Sequence, residues 1–329
     1  VTIAAARAIA LSLLAAATAL TPVATPAQQP AKLPRIGVLA DPVATSPFVP
    51  VFRQGLRDLG YVDGQNIRIE ERYAGGVPGR FPELVAELLA QDIDVLVVGG
   101  TLAAMAAKAR TSTVPIVFTL AGDPVGTGLV TSLAKPGGNV TGLSLFHPEM
   151  SAKDLEVLKA AVPGASRMAV IYNPINPVTR ASLERTREAA RTLGVELQVT
   201  EVRGPENLDK AFATIMTGKP QALLVFSDPA FGTQLDELAK LAVNHRLPAI
   251  YNRREFAEAG GLLGYGPDYS DNYRRAATYV DRILKGAKPG DLPVEQPVKF
   301  ELAINLKTAK TLGIAIPESL LRRADHLIR

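Results

Sequence analysis

DVLVVGGTLAAMAAKARTSTVPIVFTLAGDP, residues 94–124, decides how the chain folds. It opens with a short β-branched apolar run, passes through an alanine-rich stretch of helical length, and closes with a proline-led apolar run ending in Asp123-Pro124. Strand, crossover helix and strand in that order make a β–α–β unit, and such a crossover lays its two strands parallel in one sheet. The same order returns as ALLVFSD (222–228), a helix, and LPAIYNRRE (247–255). Two echoes of one unit predict two similar α/β halves.

Outward from these units the alternation continues. Strands are predicted at RIGVLA (35–40), NIRIEERY (66–73), DVLVVGG (94–100) and PIVFTLA (115–121), with helices at 50–60, 82–91 and 102–110 between them. A second series follows: RMAVIYN (167–173), ELQVTEV (196–202), ALLVFSD, PAIYN (248–252) and GLLGYG (261–266). Short apolar strands alternating with amphipathic helices give the α/β class, here two doubly wound parallel-sheet lobes. GGNVTGL (137–143) lies between the series and is the first expected crossing. Residues 266–270 and 291–298 are the second and third, giving a three-crossing hinge. The expected division is 34–139 with 267–294 in lobe 1, and 140–266 with 295–329 in lobe 2. The tail, TAKTLG (308–313) and PESLLRRADHLI (317–328), reads as helical.

Residues 1–27 read as a signal peptide and 28–33 as a linker. Arg7 supplies a positive start, residues 9–20 an apolar run, and Thr25-Pro26-Ala27 small residues before a cut ahead of Gln28. That run is shorter than the roughly 20 apolar residues of a membrane span, so the expectation is export to the periplasm as a soluble monomer. The roughly 300 residues beyond it suit two lobes of ~150. A net charge of +4 with scattered basic residues argues against nucleic acid as a partner. Cysteine is absent, which an oxidising compartment tolerates. His147, His245 and His326 are isolated from one another, so no metal and no cofactor are expected.

Strand after strand ends in an acid or amide before proline: Asp41-Pro42, Asp123-Pro124, Asn173-Pro174, Asp228-Pro229, with Asn176-Pro177 close behind. Helix capping explains the pattern, since Asp or Asn satisfies free N–H groups and proline at the first helical position loses nothing. The same strand ends are also where ligands bind in open parallel sheets. If the two lobes face each other, the caps line one cleft for a small polar molecule with an apolar or aromatic part. The candidate ligand-binding residues are Asp41, Ser46, Thr101, Asp123, Asn173, Asn176, Ser227, Asp228, Tyr251 and Tyr265. Phe48, Tyr172, Phe226 and Phe231 sit beside them. Catalysis finds no support: there is no G-x-S-x-G elbow, no thiol and no histidine placed to activate a serine. The expectation is a binding protein and not an enzyme. A ligand sensor on the same fold and a secreted hydrolase with paired carboxylates are the competing classes.

The glycine-rich FTLAGDPVGTGLVTSLAKPGGNVTG (118–142) spaces its first glycines as G-x-x-x-G-x-G (Gly122, Gly126, Gly128), which is neither a dinucleotide fingerprint nor a Walker loop. Together with FRQGLRDLGYVDGQNIRIEERYAGG, IYNPINP, LPAIYNRREFAEAGGLLGYG and ILKGAKPGDLPVEQPVKFELAINLKTAKTLGIAIPESLL, it resembles the ABC-transporter substrate-binding proteins of the tryptophan/tyrosine-binding type. These are periplasmic binding proteins of the type I fold, and the resemblance runs from about Pro34 to the C-terminus. It implies that a captured solute is delivered to an ABC permease in the inner membrane. On this reading Asp123-Pro124 is a cap lining the cleft, residues 126–134 a short helix, and 137–142 its stop and the first hinge crossing.

Overall fold

The computed structural model describes residues 32–40, 48–145, 147–204 and 207–329. The expected signal peptide and linker, and the candidates Asp41 and Ser46, lie wholly or mostly outside these residues.

Among the described residues, twelve strands form two sheets. The first sheet takes β1 (Arg35–Ala40), β2 (Arg68–Tyr73), β3 (Val95–Val98), β4 (Ile116–Ala121) and β5 (Val140–Ser144) in the order β2-β1-β3-β4-β5. Every pairing in it is parallel. The second takes β6 (Arg167–Tyr172), β7 (Glu196–Glu201), β8 (Ala222–Val225), β9 (Ala249–Tyr251), β10 (Leu263–Pro267), β11 (Phe300–Asn305) and β12 (His326–Ile328) in the order β12-β11-β10-β9-β8-β6-β7. It is parallel except where β11 runs antiparallel to β10.

Composition explains position in the sheet. The central strands VLVV and ALLV are buried along their whole length, because helices cover both faces of a parallel sheet. The edge strands RIEERY and ELQVTE keep their charges and are half-buried or exposed. Helix Phe48–Asp58 packs against helix Tyr269–Leu284 over the first sheet, burying Phe52, Leu56, Tyr273, Ala277 and Val280 in one core. Across the second sheet, helix His147–Ala161 lies against helix Val178–Leu193, with Leu155, Leu158 and Leu183 facing Met168 and Leu224.

Three segments depart from the sequence-based reading. Val140–Ser144 is the edge strand of the first sheet, paired with β4 from Ile116↔Val140 to Ala121↔Ser144. The chain therefore leaves that sheet after Ser144, and the expected lobe boundary at 139/140 shifts past β5. Residues 126–134 are a run of turns and not a helix. Asp123 starts the run by accepting the Gly126 N–H at 2.8 Å, and Val130 N–H returns to the Pro124 carbonyl. In the tail, TAKTLG is helical within Leu306–Leu312, but PESLLRRADHLI keeps only one helical turn, Glu318–Leu321, before the strand His326–Ile328 joins β11. Asp325 fixes that register, its N–H donating to the Leu302 carbonyl while its carboxylate accepts the Leu302 N–H at 2.8 Å.

Candidate functional site

The C-terminal ends of β3 and β4 in the first sheet and of β6, β8 and β9 in the second border one cavity of ≈ 70 Å³. Taking ~10–15 Å³ per water, that is room for about five waters. From the first sheet and its helices come the Gly99-Gly100 turn, Thr101, Phe48, Tyr269 and Tyr273, and from the second Asn176, Ser227, Asp228, Thr233, Tyr251 and Arg253. Both halves of the chain supply walls, as expected where parallel strands present their carboxyl ends.

The second-sheet wall is a hydrogen-bonded unit. Asp228 leaves β8 in extended conformation and caps the turn Pro229–Gly232, its Oδ1 accepting the Ala230 N–H at 3.0 Å. Since β6 is the neighbour of β8, the end of β6 comes alongside. Asn173 Nδ2 donates to Asp228 Oδ1, and Asn176 Nδ2 to Oδ2, both at 3.0 Å. The amide oxygens in turn accept the N–H groups of Ile175, in the turn after β6, and of Val178, which starts the next helix. The Tyr251 hydroxyl donates to the Asp228 carbonyl at 3.3 Å. Burial pushes the Asp228 carboxyl above its ordinary range, against the opposing pull of the Asn173, Asn176 and Ala230 donors. Burial likewise raises the Tyr251 and Tyr269 hydroxyls.

Contacts across the cavity join the two sides. The Tyr269 hydroxyl accepts the Asn252 Nδ2 at 2.9 Å and lies 3.3 Å from Ser227 Oγ. The Arg253 guanidinium rests against two rings of the other side, with its carbon 5.2 Å from the Phe48 centroid and 5.3 Å from that of Tyr269. Phe48 itself stacks on Tyr273 at 5.3 Å. Thr101 opens helix Thr101–Arg110, its hydroxyl accepting the Gly122 N–H at 3.0 Å, so the turns after β3 and β4 are tied together behind the cavity.

Of the sequence-based candidates, Thr101, Asn176, Ser227, Asp228 and Tyr251 border this cavity. Asn173 is fully buried behind Asp228 and reaches the cavity only through it. Asp123 lies elsewhere, in a separate cavity of ≈ 140 Å³ with Ser144, Pro148, Glu149 and Gln296. Tyr265 packs near Phe300, ring centroids 6.3 Å apart, against the core of the second sheet. Among the neighbouring aromatics Phe48 borders the cavity, Phe231 is core, and Tyr172 donates outward to Glu201 at 2.9 Å. Thr233, Arg253, Tyr269 and Tyr273 are absent from the sequence-based set. A signal for Arg253 existed: it stands two residues beyond Tyr251, on the same sheet edge as the capped turns. Tyr269 carried none, because it opens a helix covering the opposite sheet.

Nothing in this wall is arranged as a nucleophile with its base. Among the described residues, no group of three or more potential metal ligands comes together. Buried hydroxyls and amides, four aromatic rings and one cation around a cavity define a receptor for a small molecule. The chain belongs to the ABC transporter substrate binding protein family, whose model matches residues 44–328. The members of this family bind substrates and are not enzymes.

Three relatives show how far the likeness runs. A tyrosine-binding protein of Clostridioides difficile (strain R20291) is 29% identical over 263 residues, covering 80% of this chain and 75% of that one. The crystal structure of a conserved domain protein from Vibrio cholerae superposes with a TM-score of 0.83 at 29% identity, over 90% of this chain and 100% of that one. The ABC domain in complex with L-Trp from Streptococcus pneumonia gives 0.82 at 28% identity, with the same coverage. Solute-binding proteins at 14% and 10% identity share the fold alone, the two-sheet arrangement of type I periplasmic binding proteins.

Proposed function

We propose that this chain is the solute-capturing component of an ABC importer: it is exported through residues 1–27, works in the periplasm, and delivers an aromatic amino acid or related solute to a permease. The observation that carries the reading is the cavity between the two sheets, walled by Phe48, Tyr269 and Tyr273 on one side and by Ser227, Asp228 and Arg253 on the other. Rings supply the apolar body of such a site, and the convergent polar groups supply orientation. The tyrosine-binding relative and the tryptophan complex support the choice of solute.

The test is a ligand screen on the purified chain, covering L-tyrosine, L-tryptophan, the other amino acids, purines and small carboxylates. A ligand present at 100 times its dissociation constant adds about 2.7 kcal/mol of stability. Saturable stabilisation by tyrosine or tryptophan, confirmed by calorimetry, is the expected result. Stabilisation by purines alone, or by no compound in the panel, would sink the aromatic amino-acid reading. Recovery of unprocessed chain from the cytosol of its host would sink the export reading.

A further inference from the structure

The acid and the base that wall the cavity between the sheets are served very differently by the fold. Asp228 has its oxygens engaged by Asn173, Asn176 and the Ala230 N–H, all at 3.0 Å. Arg253, with a side chain only 12% exposed, offers five N–H donors and makes two long contacts. Its Nε reaches Glu255 at 3.4 Å and its Nη1 reaches the Gly232 carbonyl at 3.4 Å, beyond the usual range for a strong N–H···O bond. Glu255 is its one carboxylate partner among the described residues, and it is itself about one-third exposed. The rest of its company is the faces of Phe48 and Tyr269. A buried cation with so little close anionic company is costly to hold, and an arriving carboxylate would relieve that cost with paired hydrogen bonds.

The two rings touch each other, with centroids 6.0 Å apart and planes tilted by 45°, and the guanidinium carbon rests about 5 Å from each, against both faces. We propose that Arg253 selects the ligand by its carboxylate: its guanidinium, which rests against the faces of Phe48 and Tyr269 in this structure, takes the carboxylate of the solute with paired hydrogen bonds. The site thereby takes carboxylates and rejects the matching amines, whose ammonium would face the guanidinium. This inference rests on the reading of the chain as a solute-capturing protein.

The experiment is calorimetry on the full chain with matched probes. L-tyrosine and L-tryptophan carry both groups, tyramine and tryptamine lack the carboxylate, and 3-(4-hydroxyphenyl)propionate and indole-3-propionate lack the amine. Succinate serves as a non-aromatic carboxylate. The carboxylates should bind about tenfold to a hundredfold more tightly than the amines. Arg253→Gln should erase that preference and Arg253→Lys should restore part of it, while thermal melts of each variant without probe report on folding. Amines binding as tightly as the amino acids would overturn the assignment and leave solute capture standing. So would an Arg253→Gln protein that keeps the preference, and so would a wild-type chain that binds none of the carboxylates. If the amino acids fail but the propionates or succinate bind in an Arg253-dependent way, the amino-acid reading falls and the arginine assignment stands.

Discussion

Asp228 shows how much a single residue can hide. In the sequence it is one more acid before proline, and capping alone would make its removal cost ~1 kcal/mol. In the structure its carboxylate also accepts from two buried amides, and truncation leaves both donors without an acceptor. An unsatisfied buried donor costs about 1–3 kcal/mol, so Asp228→Ala should lose about 3 kcal/mol in urea unfolding. A loss near 1 kcal/mol would mean the amides find other partners. Asp154 makes the opposite case. It is 3% exposed on helix His147–Ala161, its Oδ1 has no hydrogen-bond partner, and burial pushes its carboxyl well above the ordinary range. The folded chain therefore keeps a proton that the unfolded chain releases near pH ~4. The stability this proton confers is fully present below that pH and is lost as pH rises through the folded value, by up to about 1.4 kcal/mol per pH unit. Asp154→Asn should flatten that slope and gain on the wild type as pH rises. Parallel stability curves for the two proteins from pH 3 to 8 would show that Asp154 does not titrate this way.

Elements were legible where one pattern had one outcome. RIGVLA, VLVV and ALLV are short, apolar and bounded by turns, and they became buried central strands. The glycine-rich stretch was ambiguous because its glycines serve different ends. Gly142 lies within β5 at φ 145°, where a Cβ would meet the Phe118 carbonyl oxygen of β4, so the edge strand pairs only because that side chain is missing. Gly142→Ala combines a steric clash with backbone strain and should cost about 2–4 kcal/mol. An alanine variant that melts with the wild type would show that β4 and β5 can separate without cost. The tail misled for a related reason: PESLLRRADHLI carries helix-forming residues, and only an unpaired edge of β11 converts its last residues to strand.

At the scale of the molecule, the chain passes between the sheets three times: from β5 into helix His147–Ala161, from β10 into helix Tyr269–Leu284, and from the stretch near Glu295 into β11. Glu295 is bound to the first sheet, its N–H donating to the Gly142 carbonyl and its carbonyl accepting the Ser144 N–H at 2.8 Å. Two of the passages therefore start side by side, an arrangement suited to bending about one line. Small-angle scattering with and without a saturating ligand from the screen should show compaction. Identical profiles at saturation would rule out a hinge.

The sequence by itself determined the class of fold, the two series of strands, and the sheet edge on which the polar turns gather. These depend on hydrophobic period and on residues that cap their own neighbours, and both are local. It also set Thr101, Asn176, Ser227, Asp228 and Tyr251 on that edge. Only the tertiary structure decided which of the caps share a cavity. Asp123 and Asp228 look alike in sequence, yet one faces the passage between the sheets and the other the cavity between them. Only the tertiary structure, too, brought Arg253 against Phe48 and Tyr269, with Phe48 about 200 residues away in the chain and Tyr269 on a helix covering the opposite sheet. Their meeting depends on how the two sheets and their helices pack against each other, and no local pattern encodes that.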